Sequence, residues 1–68
     1  MKTRLKELRA REGLNQTQLA KLAKVSRQTI SLIEREEFIP SLLIAARIGR
    51  IFNEPIEQIF IFEEEELK

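Results

Sequence analysis

Apolar residues recur along most of the chain at intervals of three and four positions, the spacing of helices that bury one face. This pattern predicts helices over residues 3–13, 16–23, 27–34, 42–52 and 56–60. The side chains expected to point inward are Leu5, Leu8, Leu19, Ala20, Leu22, Ala23, Ile30, Ile33, Leu42, Ala45, Ile48, Phe52, Ile56, Ile59 and Phe60, with Ile44 and Ile51 flanking the fourth stripe. Short helices with few glycines and prolines predict an all-α fold, a five-helix bundle forming a single domain over residues 1–68.

The residues between these helices are of the types that start and end helices. Asn15 and Gln18 have the spacing of a capping box, and Ser26 and Ser41 are the expected N-caps of the helices that follow them. Gly13 is expected to end the first helix. The caps therefore divide the chain at the same places as the apolar pattern does.

The second and third predicted helices are separated only by a four-residue turn, at residues 23–26. Two short helices joined in this way form a helix-turn-helix unit, here residues 16–35. In such a unit the second helix enters the major groove of DNA with its first turn near the bases. Arg27 and Gln28 lie in that turn, and these residue types match guanine and adenine by paired hydrogen bonds. DNA binding is the hypothesis, although an ordinary solvated helix face would present the same two residues.

The charges of the chain are divided unevenly between its two halves. Residues 1–35 carry a net charge of +6 and residues 36–68 a net charge of −5, within a total of +1. A basic half is expected to face a polyanion, although solvated helix faces would give the same count. Because the predicted helix-turn-helix lies in the basic half, the charge pattern adds to the case for DNA.

The chain contains neither cysteine nor histidine. Their absence excludes a disulfide framework and nearly every zinc site, and it removes the usual general base and nucleophile–base pairs of enzymes. We therefore expect no metal, no cofactor, no small-molecule ligand and no enzymatic activity. No apolar run approaches the roughly 20 residues of a membrane span, and the charged N-terminus is unlike a signal peptide. A cytoplasmic protein without membrane contact is expected.

Several short motifs occur in the order and spacing of one family. Residues 14–20 (LNQTQLA), 25–30 (VSRQTI), 33–34 (IE) and 40–42 (PSL) resemble the Cro/repressor-type (XRE) helix-turn-helix family, and the similarity extends over about residues 5–60. The resemblance implies a five-helix bundle of the lambda-repressor-like type. It also implies a sequence-specific transcriptional regulator, a repressor, that binds two-fold operator DNA as a homodimer.

The resemblance implies roles for individual residues. The residues expected to contact bases are Ser26, Arg27, Gln28 and Ser31, and those expected to contact phosphates are Gln16, Lys21, Lys24, Thr29 and Arg35. Arg9 and Glu34 resemble a structural ion pair between the first and third helices, which would hold the recognition helix at its angle. If that pair is buried, breaking one side of it could cost about 3–5 kcal/mol.

The chain departs from the family pattern in the turn and in the connector that follows the third helix. Many relatives have glycine where this chain has Lys24, and a left-handed conformation there would cost lysine roughly 1 kcal/mol more than glycine. Many relatives have Gly-Lys where this chain has Glu36 and Glu37, whose carboxylates are unfavourable near phosphates. The connector is therefore expected to contribute less to DNA binding here, with Arg35 compensating in part.

The C-terminal end is richer in apolar side chains than the edge of so small a core needs. Our hypothesis is that Ile56, Phe60, Ile61 and Phe62, within a segment of about residues 54–63, form a two-fold dimer interface. Packing of these side chains within one chain is the alternative.

The last residues suggest a short strand and a tail. Residues 60–64 could form a strand paired with residues 1–3, and residues 63–68 are interpreted as a solvated acidic tail. A second class of function also fits this fold, an antitoxin-type or other protein-interaction module, although 68 residues leave little sequence to cover a toxin. DNA binding with a steep salt dependence would separate the two classes.

Overall fold

The computed structural model describes residues 1–68, and its helices follow the predicted pattern closely. The elements in chain order are β1 (Lys2–Thr3), α1 (Leu5–Arg11), α2 (Gln16–Ala23), α3 (Arg27–Glu34), α4 (Leu42–Phe52), α5 (Ile56–Ile59), β2 (Phe60–Ile61) and α6 (Glu64–Leu67). The predicted all-α fold is confirmed, a short strand pairing lies where one was predicted, and a sixth short helix is added.

The predicted helix starts are confirmed by their hydrogen bonds. Asn15 Oδ1 accepts the N–H of Gln18 at 2.8 Å, and Gln18 Oε1 accepts the N–H of Asn15 at 2.8 Å, which completes the capping box. The hydroxyls of Ser26 and Ser41 accept backbone N–H groups three residues later, at 3.1 and 3.2 Å. Helix α1 spans Leu5–Arg11 and is shorter at both ends than the predicted residues 3–13, because Thr3 lies in β1. Gly13 follows α1 with φ at 69°.

The core is formed by one face of each of the first five helices together with the start of β2. Its twelve buried apolar residues are Leu5, Leu8, Leu19, Ala20, Ala23, Ile30, Ile33, Ala45, Ile48, Phe52, Ile59 and Phe60. Burying an aliphatic or aromatic side chain of this size stabilises the fold by about 1.5–3 kcal/mol. The core therefore fixes the relative positions of α1, α2 and α3, on which any site at the helix-turn-helix depends.

Two leucines predicted to point inward are exposed instead. Leu22 is 54% exposed, because the buried arc of α2 is centred on Leu19, Ala20 and Ala23. Leu22 lies roughly 100° around the helix from the centre of that arc. Leu42 is 78% exposed, because no element of the chain covers the first turn of α4. For these two residues the inward prediction is wrong.

The ends of the chain meet in a short antiparallel pairing. Lys2 lies opposite Ile61 and Thr3 lies opposite Phe60. The Thr3 hydroxyl donates to the carbonyl of Ile59 at 3.0 Å, which extends the attachment of β1 beyond the ladder. The predicted strand is confirmed at its first two residues, whereas residues 64–67 are helical.

The acidic segment forms one short exposed helix. The N–H of Glu63 donates to Glu66 Oε1 at 2.8 Å, which caps the start of α6. The N-terminal ammonium of Met1 forms an ion pair with Glu66, and this hydrogen bond lowers the pKa of Glu66 below its ordinary value. The acidic segment is therefore exposed to solvent, as expected, but folded back toward β1.

Candidate nucleic-acid interface

The turn between α2 and α3 sets the angle between these helices. Lys24 ends α2 in a left-handed conformation, with φ at 60° and ψ at 43°. The N–H of Val25 donates to the carbonyl of Ala20 at 3.0 Å, which satisfies the end of α2 in the way that a C-terminal glycine usually does. Lys21 and Lys24 are both exposed, so this side of the turn is positively charged.

The first turn of α3 presents two long polar side chains to solvent. Ile30 and Ile33 are fully buried, which turns Arg27 and Gln28 outward, and both of these are exposed. Neither is held by a hydrogen bond or an ion pair to another side chain of the protein. Their guanidinium and carboxamide groups are therefore free to form paired hydrogen bonds with an external group.

The hydroxyl groups of α3 are less free. Ser26 Oγ accepts the N–H of Thr29 at 3.1 Å, and the two hydroxyl oxygens lie 2.9 Å apart. Ser26 is exposed, whereas Thr29 and Ser31 are partly buried. The N-cap bond of Ser26 holds the start of α3 and uses one lone pair of its hydroxyl oxygen. An external group can contact only the O–H or the second lone pair.

A partly buried ion pair connects α1 to the C-terminal end of α3. Arg9 Nε lies 2.7 Å from Glu34 Oε2, and the Glu34 side chain is only 5% exposed. Arg9 also donates to the carbonyl of Leu14 at 3.1 Å, and Gln16 Nε2 donates to Glu34 Oε1 at 3.1 Å. The hydrogen bond to Glu34 raises the pKa of the Arg9 guanidinium above its ordinary value. The network holds α1, α2 and α3 in a fixed arrangement.

A polar hollow lies where the start of α2 meets the start of α3. It is lined by Arg9, Asn15, Gln16, Thr17 and Arg27, with no apolar side chain among them. The first N–H groups of a helix lack partners within the helix and favour an anion. Arg27 adds unpaired positive charge to this end of α2, whereas the charge of Arg9 is balanced by Glu34. The hollow is therefore suited to a phosphate group.

Sequence reasoning missed Thr17 and the part that Gln16 plays in the ion-pair network. Thr17 occupies the second position of α2, directly after Gln16. Because the first N–H groups of a helix favour an anion, this position could have identified Thr17 as part of the hollow. The hydrogen bond from Gln16 to Glu34 depends on how α2 crosses α3, which residue spacing within one helix does not give.

The two carboxylates of the connector are already engaged within the chain. Glu36 has a left-handed φ of 64°, and its Oε2 accepts the N–H of Thr3 at 2.9 Å. Glu37 Oε2 lies 3.4 Å from Arg35 Nε, and both side chains are more than half exposed. Arg35, one of the residues predicted to contact a phosphate, therefore has part of its charge balanced by Glu37.

The four side chains predicted for a dimer interface lie in different environments. Ile56 is partly buried, and Ile61 and Phe62 are 44% and 37% exposed. Phe60 is 4% exposed because its ring packs in the core of its own chain. Phe60 therefore offers almost no surface to a second chain and lies in the core, the position that the helical pattern predicts for it.

Two further features bear on the class of site. No group of three or more His, Cys, Asp or Glu side chains is placed to hold a metal ion. No helix has the length and apolar character needed to cross a membrane.

Comparison with known proteins decides the family. The model of the family described as Helix-turn-helix matches residues 5–59. The chain belongs to the Cro/repressor-type (XRE) helix-turn-helix family. This is a family of DNA-binding transcriptional regulators and not a class of enzymes. The predicted resemblance is confirmed, and the match covers α1 through α5.

Relatives of the helix-turn-helix family align with nearly the whole chain. An HTH-type transcriptional regulator of Archaeoglobus fulgidus is 51% identical over 67 residues, which is 98% of this chain and 94% of that protein. One from Methanocaldococcus jannaschii is 48% identical over 66 residues, which is 97% of this chain and all of that protein. One from Bacillus subtilis is 45% identical over 65 residues, with coverage of 96% and 98%. The chain is thus similar to short regulators from three organisms.

Proposed function

We propose that this chain is a sequence-specific regulator of transcription that binds double-stranded operator DNA with α3 in the major groove. It acts in the cytoplasm as a two-fold homodimer and represses the genes that it controls. The observation that carries the proposal is the free, exposed pair Arg27 and Gln28 in the first turn of a helix anchored by the partly buried Arg9–Glu34 ion pair. Both side chains are polar and have no partner within the chain, and the helix that carries them is held by the ion pair.

Base contacts come from the first two turns of α3. Arg27 donates two hydrogen bonds to guanine, and Gln28 pairs with adenine by one donor and one acceptor. Ser26 and Ser31 add shorter-range contacts next to them. Specificity is expected to depend mostly on the two long side chains, because the hydroxyl of Ser26 already accepts a bond within its helix.

Phosphate contacts surround this helix. Gln16 and the first N–H groups of α2 bind one phosphate at the polar hollow, and Lys21, Lys24, Thr29 and Arg35 bind others. The charge distribution supports this assignment, because residues 1–35 carry a net charge of +6. Neutralising phosphates releases counterions, so binding is expected to weaken steeply with salt.

The two-fold arrangement follows from the shape of B-form DNA. Recognition helices that enter successive major grooves lie about 34 Å apart, and a homodimer presents two of them to a palindromic site. Ile56, Ile61 and Phe62, in the segment of about residues 54–63, contribute to the dimer contact. A dimer bound over a promoter excludes other proteins from the same DNA, which is the basis of the proposed repression.

Selection of bound sites from a random DNA pool tests the proposal. Enrichment of a palindromic sequence with half-sites one helical turn apart is the expected result. The affinity of the selected site, measured by fluorescence anisotropy at several salt concentrations, should fall linearly on a log–log scale with a slope of several units. A chain that binds no duplex DNA at low salt would contradict the whole proposal, whereas binding without sequence enrichment would contradict the base contacts alone.

A further inference from the structure

The end of α3 adopts a backbone arrangement that usually contains glycine. The N–H of Glu36 donates to the carbonyl of Ile33 at 2.9 Å, and the N–H of Glu37 donates to the carbonyl of Leu32 at 2.9 Å. These two bonds form a Schellman motif, in which the residue after the C-cap is left-handed and is most often glycine. Glu36 occupies that position with φ at 64°, which is unfavourable for a residue with a Cβ. Its side chain is therefore expected to make a compensating contact.

The side chain of Glu36 makes such a contact with β1. Its Oε2 accepts the N–H of Thr3 at 2.9 Å. The next N–H along the chain, that of Arg4, donates to the carbonyl of Ile59, directly before β2, at 3.0 Å. Because neighbouring N–H groups of an extended chain point to opposite sides, the Thr3 N–H lies on the open edge of β1. Glu36 therefore supplies the acceptor that no further strand provides there.

Thr3 connects this bond to the rest of the fold. Its hydroxyl donates to a main-chain carbonyl of α5 at 3.0 Å and accepts the N–H of Leu5, at the start of α1, at 3.1 Å. The bond from Thr3 to Glu36 thus joins the end of α3 to both α1 and α5. The ion pair between Arg9 and Glu34 already joins α1 to the last turn of α3. The end of the recognition helix is therefore attached to the N-terminal elements at two points.

The charge of Glu36 lies beside a predicted phosphate contact. Glu36 directly follows Arg35, and none of the ion pairs of the chain includes it. A carboxylate without a cation partner repels DNA phosphates if it is free to turn toward them. The bond to Thr3 occupies this carboxylate within the protein. The same bond therefore acts on the position of the helix end and on the position of the charge.

We propose that Glu36 is a positioning residue for DNA binding. Its carboxylate holds the end of α3 on β1 and stays bound to the protein instead of being free beside the phosphates. Fewer orientations of the connector are then left to be fixed when DNA binds, which lowers the entropy cost of binding. The inference rests on the proposed binding of DNA through α3 and deepens it, because it gives a residue of the connector a defined role.

Two substitutions of Glu36 separate its hydrogen bond from its charge. Glu36→Gln keeps an oxygen acceptor at the same reach and removes the charge. Glu36→Asp keeps the charge and shortens the side chain by one C–C bond, about 1.5 Å, which takes the carboxylate out of reach of the Thr3 N–H. Hydrogen exchange of the Thr3 amide, measured by NMR, should be as slow as wild type in Glu36→Gln and about tenfold faster in Glu36→Asp. Unchanged exchange in Glu36→Asp would overturn the bond on which the proposal depends.

The affinity for DNA, measured by fluorescence anisotropy on a duplex selected by the wild-type chain, gives the functional outcome. At low salt, Glu36→Asp should raise the dissociation constant about threefold or more, because the released carboxylate faces phosphates. The increase should shrink as salt screens the repulsion, and it should be similar on a random duplex, since phosphates carry no sequence information. Glu36→Gln should bind as tightly as wild type or more tightly. Equal dissociation constants for the two variants would overturn the proposal.

Glu37→Asp is the matched control, because it shortens the neighbouring carboxylate by the same bond. Its ion pair with Arg35 is more than half exposed, so its dissociation constant for DNA should stay within about twofold of wild type. Urea denaturation of the same chains tests for a purely structural role. If Glu36→Asp lowers the free energy of unfolding but leaves the affinity of the folded chain unchanged, Glu36 does not position anything for DNA.

The same titrations separate this inference from the proposed function. A wild-type chain that binds no duplex at low salt would overturn the proposed function and this inference with it. A wild-type chain that binds a duplex, with a loss in Glu37→Asp equal to that in Glu36→Asp, would overturn the role of Glu36 alone.

Discussion

The first turn of α3 and the rim of an apolar groove lined by Ile39, Leu42 and Phe62 differ in the kind of side chain that they leave exposed. The first turn of α3 exposes Arg27 and Gln28, whereas the groove exposes Ile39, Leu42 and Phe62. Hydrogen-bond donors and acceptors without partners are suited to the polar edges of bases, and apolar surface is stabilised by contact with other apolar surface. The comparison shows that one small chain exposes two faces of different chemistry, one polar and one apolar.

The two regions also differ in how they are held. The end of α3 is anchored by the Arg9–Glu34 pair, whose carboxylate is 5% exposed. The connector beside the groove is held at the surface, by the bond between Glu36 and Thr3. A buried bond in a fixed network resists loosening more than an exposed one does. The end of α3 is therefore expected to resist local opening more than the connector does.

Removing the buried carboxylate should have the largest effect. Glu34→Ala leaves the Arg9 guanidinium, 18% exposed, without its partner and removes the acceptor of Gln16. The free energy of unfolding, measured by urea denaturation, should fall by about 3–5 kcal/mol. Glu37→Ala is the control, because its ion pair with Arg35 is more than half exposed and should contribute only about 0–1 kcal/mol. Similar losses from the two substitutions would mean that both regions are held equally.

Removing a base contact should affect DNA binding and leave the fold intact. Arg27→Ala should cost about 1–3 kcal/mol on the best site and relax the preference at one base pair. Lys21→Ala should instead weaken binding to all sequences by a similar factor, since a phosphate contact carries no sequence information. Competition titrations with operator and random duplexes measure both. Equal losses on the two duplexes for Arg27→Ala would contradict its role at the bases.

A substitution in the C-terminal half should act on stability alone. A Cβ added at Gly49 would lie 2.9 Å from the backbone carbonyl oxygen of Glu54, which cannot move without disturbing the start of α5. Gly49→Ala should therefore lower the free energy of unfolding by about 1–3 kcal/mol. The order of preference among selected DNA sites should stay the same as for wild type. A changed order would show that the two regions are coupled more tightly than the comparison supposes.

The helices and their starts could be predicted because they depend on neighbouring residues. Asn15, Ser26 and Ser41 cap the following helix through bonds that span three positions. The inward side of a helix also follows from its period, but the period does not say whether another element covers every turn. For this reason the pattern places Leu42 inside although it is 78% exposed, whereas it places Phe60 inside correctly, since Phe60 is 4% exposed.

The outward-facing residues of the candidate site could be predicted from the sequence, but the hydrogen bonds that hold the site together could not. Arg27 and Gln28 follow from the burial of the other face of α3, which a single helix determines. The hydrogen bonds from Gln16 to Glu34 and from Thr3 to Glu36 join residues 18 and 33 positions apart. Such contacts depend on how helices cross and where β1 lies, and no local pattern in the sequence encodes them.

The smallest expected effect concerns the turn, where the demands of folding and DNA binding oppose each other. Lys24 is held at φ 60°, a conformation that costs a side-chain-bearing residue roughly 1–2 kcal/mol. Glycine removes this strain but adds about 0.4–1 kcal/mol of freedom to the unfolded chain. Lys24→Gly should therefore stabilise the fold by only about 0.5–1 kcal/mol, while the loss of a phosphate contact should reduce the salt slope of binding by about one unit.

Lys24→Gln separates the two contributions, because it removes the charge and keeps a side chain in the left-handed conformation. We expect the same reduced salt slope from it as from Lys24→Gly, but no gain in the free energy of unfolding measured in urea. If both substitutions leave the slope unchanged, Lys24 does not contact a phosphate, and the positive charge of the turn acts on DNA only from a distance. If both stabilise the chain equally, the gain comes from removing the charge of Lys24, and backbone strain at this position contributes too little to the free energy of unfolding to be measured.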